Sequence, residues 1–360
     1  MPIKKYLQVK RNIVQTNLEK FLQQQQQETV AFKIDAVNFL QNFVASGKLY
    51  RGCLVFLGYD LFAQQDCATF KSDDSFFQAL IKTAMAVELT QSAFLLHDDF
   101  MDQDDLRRGQ PTFHQVVMSE PAVCELAGAR HLGYAQAVSL GDALLFWAGS
   151  LMSQAAGISQ TQQLSEFYAG EMVKTCWGQM EDVYLSQANQ ATSQAGIINM
   201  ITLKSAHYSV INPLVLGAIL GKADEPQRQL LENFALNLGI IFQLKDDELG
   251  LFGDEQQLGK PVGSDIKENK QTLFRNFLFK AVNQTEKKEL DQIFGNKKLT
   301  HAQIKFVQQL LDQYQIRQQV SKLVIKYETR ANQSLELLTV NSRSKELLST
   351  LMALMSRRKK

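Results

Sequence analysis

Glu88-Leu-Thr-Gln-Ser-Ala-Phe-Leu-Leu-His-Asp98-Asp99-Phe-Met-Asp102-Gln-Asp104-Asp105-Leu-Arg107-Arg108-Gly-Gln-Pro-Thr-Phe-His114 is the stretch from which the rest of the chain is read. An apolar helical run ends in a group of carboxylates, and two arginines follow at once. Asp98 and Asp102 are four apart, so on a helix they lie one turn above the other on one face, where like charges repel unless a cation sits between them. Carboxylate oxygens on a helical frame suit Mg2+, which takes a few protein oxygens and completes its shell with phosphate and water. Arg107 and Arg108 then offer planar forks for phosphate oxygens beside the ion. The competing reading is a solvated acidic helix end. Phe94, Leu95 and Leu96 argue against it, since they read as core immediately before the acids.

A second stretch repeats the construction. In Phe242-Gln243-Leu-Lys-Asp246-Asp247-Glu-Leu-Gly250 an apolar helix again runs into an aspartate pair, and Lys260 and Lys270 follow. Two such stretches in one helical chain predict two walls of one cavity with a shared metal cluster.

Composition is compatible with this. The net charge is +1, so no global field recruits nucleic acid and phosphate binding must be local. An apolar content of 45% describes a globular chain. Cys53, Cys67, Cys124 and Cys176 form no CxxC pair or zinc spacing and read as reduced, mostly buried thiols. The start, Met-Pro-Ile-Lys-Lys, lacks a signal-peptide pattern, and the apolar segments near 139–158 and 209–221 are interrupted or too short to span a bilayer. A cytoplasmic protein without stable membrane insertion is the expectation. Three- and four-residue apolar spacing recurs almost everywhere, and no linker divides the chain. One all-α domain over 1–360 follows, with N-terminal helices over 1–45 and a basic tail over 350–360.

The two acidic stretches, with the double arginine, resemble the aspartate-rich motifs of the trans-isoprenyl diphosphate synthases, the polyprenyl synthetase family. The resemblance is carried by Asp98-Asp99-x-x-Asp102 with Arg107-Arg108-Gly, and by Gly259-Lys-Pro-Val-Gly-Ser-Asp-Ile266. It implies the type I isoprenoid synthase fold, helices bundled around a central active-site cavity. It implies Mg2+-dependent head-to-tail condensation of isopentenyl diphosphate with an allylic diphosphate, and a homodimer. Three ions, bridged by the substrate diphosphate, fall to Asp98, Asp102 and Asp246, with Asp99 and Asp247 behind them.

The resemblance distributes the other roles. Lys48, Arg51, Gln91 and Arg108 take isopentenyl diphosphate. Residues 45–52 alone would read as a surface loop or as a helix start whose amides favour an anion. Gln91 stands where many members have histidine; it donates hydrogen bonds but carries no charge. Arg107, Lys204, Lys260 and Lys270 take the allylic diphosphate. Lys204 alone on an apolar helix would read as snorkelling to solvent. Ser205 replaces a threonine and keeps the hydroxyl, Gln243 assists Lys204, and Gln179 and Asp182 support the cations. Gly250 departs from the pattern, standing where a third aspartate is common.

Phe94 sits one turn, about 6 Å, before Asp98 on the same helix face. It reads either as core or as the floor on which a growing chain stops, while the adjacent Ala93 is too small to block. A floor there implies a geranylgeranyl or farnesyl product. Asp104 and Asp105 read as partners for arginines, and His97 and His114 as structural. A longer-chain synthase, a class I terpene cyclase and a catalytically silent partner are the alternatives. The second diphosphate set argues against the cyclase, and the retained aspartates argue against the silent partner.

Overall fold

The computed structural model describes residues 2–25, 35–63, 74–155, 161–187, 192–253 and 262–357. Lys260, Cys67 and the last three residues of the basic tail lie outside them. Among the described residues the only strands are the two-residue pair Leu106–Arg107 and Gln110–Pro111, and the remainder of the regular structure is helical. The chain forms two compact units. The first takes residues 1–169 and 212–228, the second 170–211 and 229–360.

In the first unit, α1 (Ile3–Gln25), α2 (Ala36–Ala45), α3 (Tyr50–Phe62), α4 (Ser75–Met101), α5 (Phe113–Ser119) and α6 (Ala129–Gln154) are joined by α9 (Asn212–Leu220). The central element is α4. Asp74 caps its start by accepting from the amides of Phe76 and Phe77 at 2.9 and 3.3 Å. Its buried residues occur on every side, as expected of a helix packed between α6 and α3. Leu80, Leu89 and Leu96 are buried, each contributing about 1.5–3 kcal/mol. Among the described residues this helix, rather than the segments near 139–158 and 209–221, is the one long and apolar enough to cross a membrane, yet most of it is buried within the protein.

In the second unit, α7 (Thr161–Gln187) and α10 (Glu225–Phe252), which both begin in the first, and α8 (Gln194–Ile201) accompany a π-helical segment, Thr202–Ile211. After a single turn, α11 (Ser264–Lys267), come α12 (Leu273–Ala281), α13 (Gln284–Ile293), α14 (His301–Gln313), α15 (Ile316–Leu337) and α16 (Ser342–Ser356). The π segment gives way to α9 at Asn212-Pro213, where the proline has no N–H for the ladder. Of the described cysteines, only Cys53 is buried; Cys124 and Cys176 are exposed, against expectation.

Candidate active site

The first acidic stretch closes α4. The amide of Asp102 still donates to the carbonyl of Asp98 at 2.8 Å, so the two carboxylates keep helical spacing. The aspartate pair then divides by burial. Asp99 is 1% exposed, whereas Asp98 is half-buried. Arg107 answers them: its Nε donates to Asp99 Oδ1 at 2.6 Å, and its Nη2 approaches Asp98 and Asp104 at 3.5 Å each. Burial pushes the Asp99 carboxyl up to about 7, because desolvation outweighs one guanidinium shared among three carboxylates. Those carboxylates in turn outweigh the burial of Arg107 and raise its pKa.

What separates Arg107 from Arg108 is a turn that the sequence reading missed. Leu106 pairs with Pro111 and Arg107 with Gln110, leaving Arg108 and Gly109 as a two-residue loop with φ of 55° and 75°. Positive φ at both positions marks a primed hairpin turn, and an x-Gly pair at its centre is the signal that could have found it. The turn sends Arg107 to the aspartates. Arg108 instead donates from Nη1 to the carbonyl of Phe43 at 2.7 Å and the hydroxyl of Ser46 at 3.1 Å. Its guanidinium also lies over the Phe43 ring at 5.2 Å. Burial first, then the like charges of Arg107 and Arg51, lower its pKa.

Arg108 thus stands at the turn between α2 and α3, immediately before exposed Lys48 and half-buried Arg51. Glu88 is the residue here that sequence reasoning did not single out. It is 4% exposed, and its Oε1 accepts the Gly52 amide at 2.7 Å. Burial raises its pKa, while Arg51 and then the Gly52 amide oppose the rise. Of the two readings of this stretch the helix start is the one found, and its Gly52 amide is occupied by the protein's own carboxylate. Gln91, one turn beyond Glu88, is buried, and its Oε1 has no hydrogen-bond partner.

Only Leu96 of the three apolar residues before the acids belongs to the core. Phe94 and Leu95 are half-buried, and Ala93 is fully buried. His97 is held by the Val138 carbonyl at 3.2 Å. His114 is buried edge-on to Tyr134, with centroids 5.3 Å apart. Asp104 meets Arg107 as expected, but Asp105 accepts from Gln115 at 2.6 Å rather than from an arginine.

In the second unit the charges come from separate parts of the chain. Asp182 of α7, 4% exposed, receives Lys204 of the π segment at 2.6 Å and Lys270 at 2.9 Å on one oxygen. Burial alone would raise the Asp182 carboxyl, but the two ammonium groups outweigh it and hold the pKa below the ordinary value. The approach of Lys204 requires Gly178, where an added Cβ would overlap the backbone nitrogen of Lys204. Ser205 donates to Gln243 Oε1 at 2.7 Å, and Gln243 Nε2 donates to Asp247 at 2.8 Å.

The second aspartate pair divides as the first does, with Asp247 buried and Asp246 half-buried. Desolvation first, then the charge of Asp265, pushes the Asp247 carboxyl well up. At the departure noted in the sequence, a Cβ on Gly250 would meet Asp265 Oδ2 at 3.3 Å, so the place of the missing side chain is bordered by another carboxylate. Gln179 is half-buried on α7, one turn before Asp182.

Each acidic helix end carries oxygen donors of the kind that suits magnesium, Asp98 and Asp102 in the first unit and Asp246 in the second. Asp98, Asp102 and Asp246 are half-buried oxygen donors, and Asp99 Oδ2 lies buried with no hydrogen-bond partner. No three His, Cys, Asp or Glu side chains among the described residues form a ready-made cage. Mg2+ requires none, since one or two carboxylates with phosphate and water suffice.

The chain matches the polyprenyl synthetase family model over residues 36–311, a span that takes in both units. It is 33% identical over 262 residues to the short chain isoprenyl diphosphate synthase of Methanocaldococcus jannaschii, covering 72% of this chain and 71% of that protein. It is likewise 33% identical over 267 residues to the geranylgeranyl diphosphate synthase of Saccharolobus solfataricus, covering 74% and 75%. A crystal structure of the geranylgeranyl pyrophosphate synthase of Corynebacterium glutamicum shares its all-α fold, with a TM-score of 0.88 at 24% identity over 99% of this chain and 100% of that one. With its all-α prenyl synthase fold, its two aspartate pairs and a family match across both units, the chain belongs to the polyprenyl synthetase family of prenyltransferases.

Proposed function

We propose that the protein condenses isopentenyl diphosphate with an allylic diphosphate, head to tail, to give an all-trans geranylgeranyl or farnesyl diphosphate. The observation that carries this is the hairpin at Arg108-Gly109. It divides the two arginines between the aspartates and the Lys48 turn, which supports one station for each diphosphate. A cyclase needs only one such station.

In this reading Asp98, Asp102 and Asp246 hold magnesium, three ions in all, with Asp99 and Asp247 buried behind them. Magnesium, when bound, neutralises charge developing on the leaving diphosphate. Arg107, Lys204 and Lys270 add hydrogen bonds to the same leaving group, joined by Lys260, which lies outside the described residues. Their carboxylate partners keep them fixed in place. Lys48, Arg51, Arg108 and Gln91 hold isopentenyl diphosphate for attack on the allylic carbon, and proximity supplies much of the rate. Ser205 and Gln243 fix the polar face beside Lys204. The departing diphosphate then takes the proton.

Phe94 is half-buried rather than packed into the core, which supports its role as a floor. A product assay with dimethylallyl, geranyl and farnesyl primers, read by mass spectrometry, tests both ideas. We expect fifteen- or twenty-carbon chains that lengthen in Phe94→Ala. Long chains from the unaltered enzyme would remove the floor, and absence of condensation with every primer would remove the function.

We assign the working form as a cytoplasmic homodimer. Val173, Trp177, Met180 and Tyr184 recur at helical spacing along α7 and are 53–69% exposed, an apolar stripe that supports a second copy as its cover. Light scattering should give twice the chain mass, falling to one chain mass in Trp177→Glu.

A further inference from the structure

We propose that Arg11, on a helix that precedes the span matched by the family model, is a positioning residue for the isopentenyl diphosphate station. The proposal rests on the reading that Lys48 and Arg51 take that substrate. The turn between α2 and α3 leads directly into Lys48, and its own groups close only part of its backbone. The Gly47 and Ser46 amides close the carbonyls of Val44 and Asn42 at 2.9 and 3.1 Å, and the Ser46 hydroxyl donates to the carbonyl of Phe43 at 2.8 Å.

Two guanidinium groups from elsewhere add bonds to this turn. Arg11 Nε donates to the Gly47 carbonyl at 3.3 Å, and its Nη2 donates to Gly47 and Ala45 at 3.2 Å each. Arg108 takes Phe43 at 2.7 Å. The carbonyls of residues 43, 45 and 47 are therefore clamped from two sides, and the next residue is Lys48. Leu49 follows in the left-handed region with φ of 50°, a conformation that the surroundings must hold for a branched side chain.

The helix that brings Arg11 is itself anchored. Val14, Leu18 and Leu22 are buried, Tyr6 donates to Asp60 of α3 at 2.7 Å, and Lys10 lies 3.6 Å from the same carboxylate. Both ends of the Lys48–Arg51 element are thus tied to α1: its leading turn through Arg11, and its following helix through Asp60. Arg11 acts through the turn, by keeping Lys48 and Arg51 in one geometry before substrate arrives.

The test measures isopentenyl diphosphate binding by calorimetry in the absence of an allylic primer. It also determines KM for each substrate and the melting temperature, for the unaltered protein, Arg11→Gln, Arg11→Lys and Lys48→Ala. We expect Arg11→Gln to weaken isopentenyl diphosphate about tenfold in both Kd and KM. The allylic KM and kcat should stay within about twofold, and Arg11→Lys should fall between Arg11→Gln and the unaltered protein. Unchanged isopentenyl diphosphate affinity in Arg11→Gln, with affinity lost in Lys48→Ala, would overturn the role of Arg11 alone. Equal weakening of both substrates with a lowered melting temperature would reduce it to a structural role and also overturn the proposal. Unchanged affinity in Lys48→Ala would overturn the station itself, and the proposal with it. Should Arg11→Gln fail to fold, Arg11→Lys decides on the same measurements.

Discussion

The two aspartate pairs share a plan and differ in how their charge is answered. In each, the second aspartate is buried and the first is left half-buried: Asp99 behind Asp98, Asp247 behind Asp246. Around Asp99 the counter-charge is local, because Arg107 lies only eight residues on and is returned by the β-hairpin. Around Asp247 there is no cation in direct contact among the ion pairs of the described residues. A neutral amide, Gln243, bonds it, and Lys204 and Lys270 converge on Asp182 instead. A pair balanced by a nearby arginine is preset by the chain itself. A pair whose buried member is bonded by an amide and faces other carboxylates needs the whole unit folded around it.

If the half-buried aspartates are equivalent despite this difference, Asp98→Ala and Asp246→Ala should each reduce kcat by about a thousandfold at saturating Mg2+. A loss confined to Asp98→Ala would break the symmetry and make the second pair an accessory.

The buried anchors should separate the units more clearly. Asp182→Asn removes the charge facing two largely buried ammonium groups and should cost about 3 kcal/mol in urea unfolding. Asp99→Asn leaves Arg107 with Asp98 and Asp104, and should cost about 1–2 kcal/mol. The pH dependence sharpens the contrast. The Asp182 pKa lies below its unfolded value, so its stabilisation is present above about pH 4 and is lost as pH falls through the depressed pKa. Melting curves over the acid range should therefore fall less steeply for Asp182→Asn than for the unaltered protein. Equal slopes would show that Asp182 is not the group being protonated.

A smaller effect separates two close approaches. A Cβ at 178 would strike the backbone of Lys204, whereas one at 141 would strike the ring of His97, which can turn away. Gly178→Ala should cost about 3 kcal/mol with a raised allylic KM, and Gly141→Ala about 1 kcal/mol with no change in either KM. Equal costs would mean that the π segment yields as easily as a side chain.

Local chemistry made several features legible. The three- and four-residue apolar spacing announced helices, since a buried face recurs with the helical period whatever packs against it. Asp98, Asp102, Arg107 and Arg108 lie within eleven consecutive residues, so their association needs no long-range pairing. Other features arise only from the fold. Glu88 reads as one more polar residue on an apolar helix until Gly52, 36 residues away, places an amide on it. Arg11 belongs to no motif, and its partners lie 34 and 36 residues on. Asp105 near an arginine looked like an ion pair, but the hairpin turned the arginines elsewhere.

The sequence by itself determined the helical class and the residues that carry charge, because helix period and side-chain chemistry are properties of short stretches. Tertiary structure alone decided which way Arg107 and Arg108 part, that the Gly52 amide closes on Glu88, and that Lys204 and Lys270 share one oxygen of Asp182. Those outcomes depend on desolvation and on bonds between segments far apart in the chain, and neither is written in any local pattern.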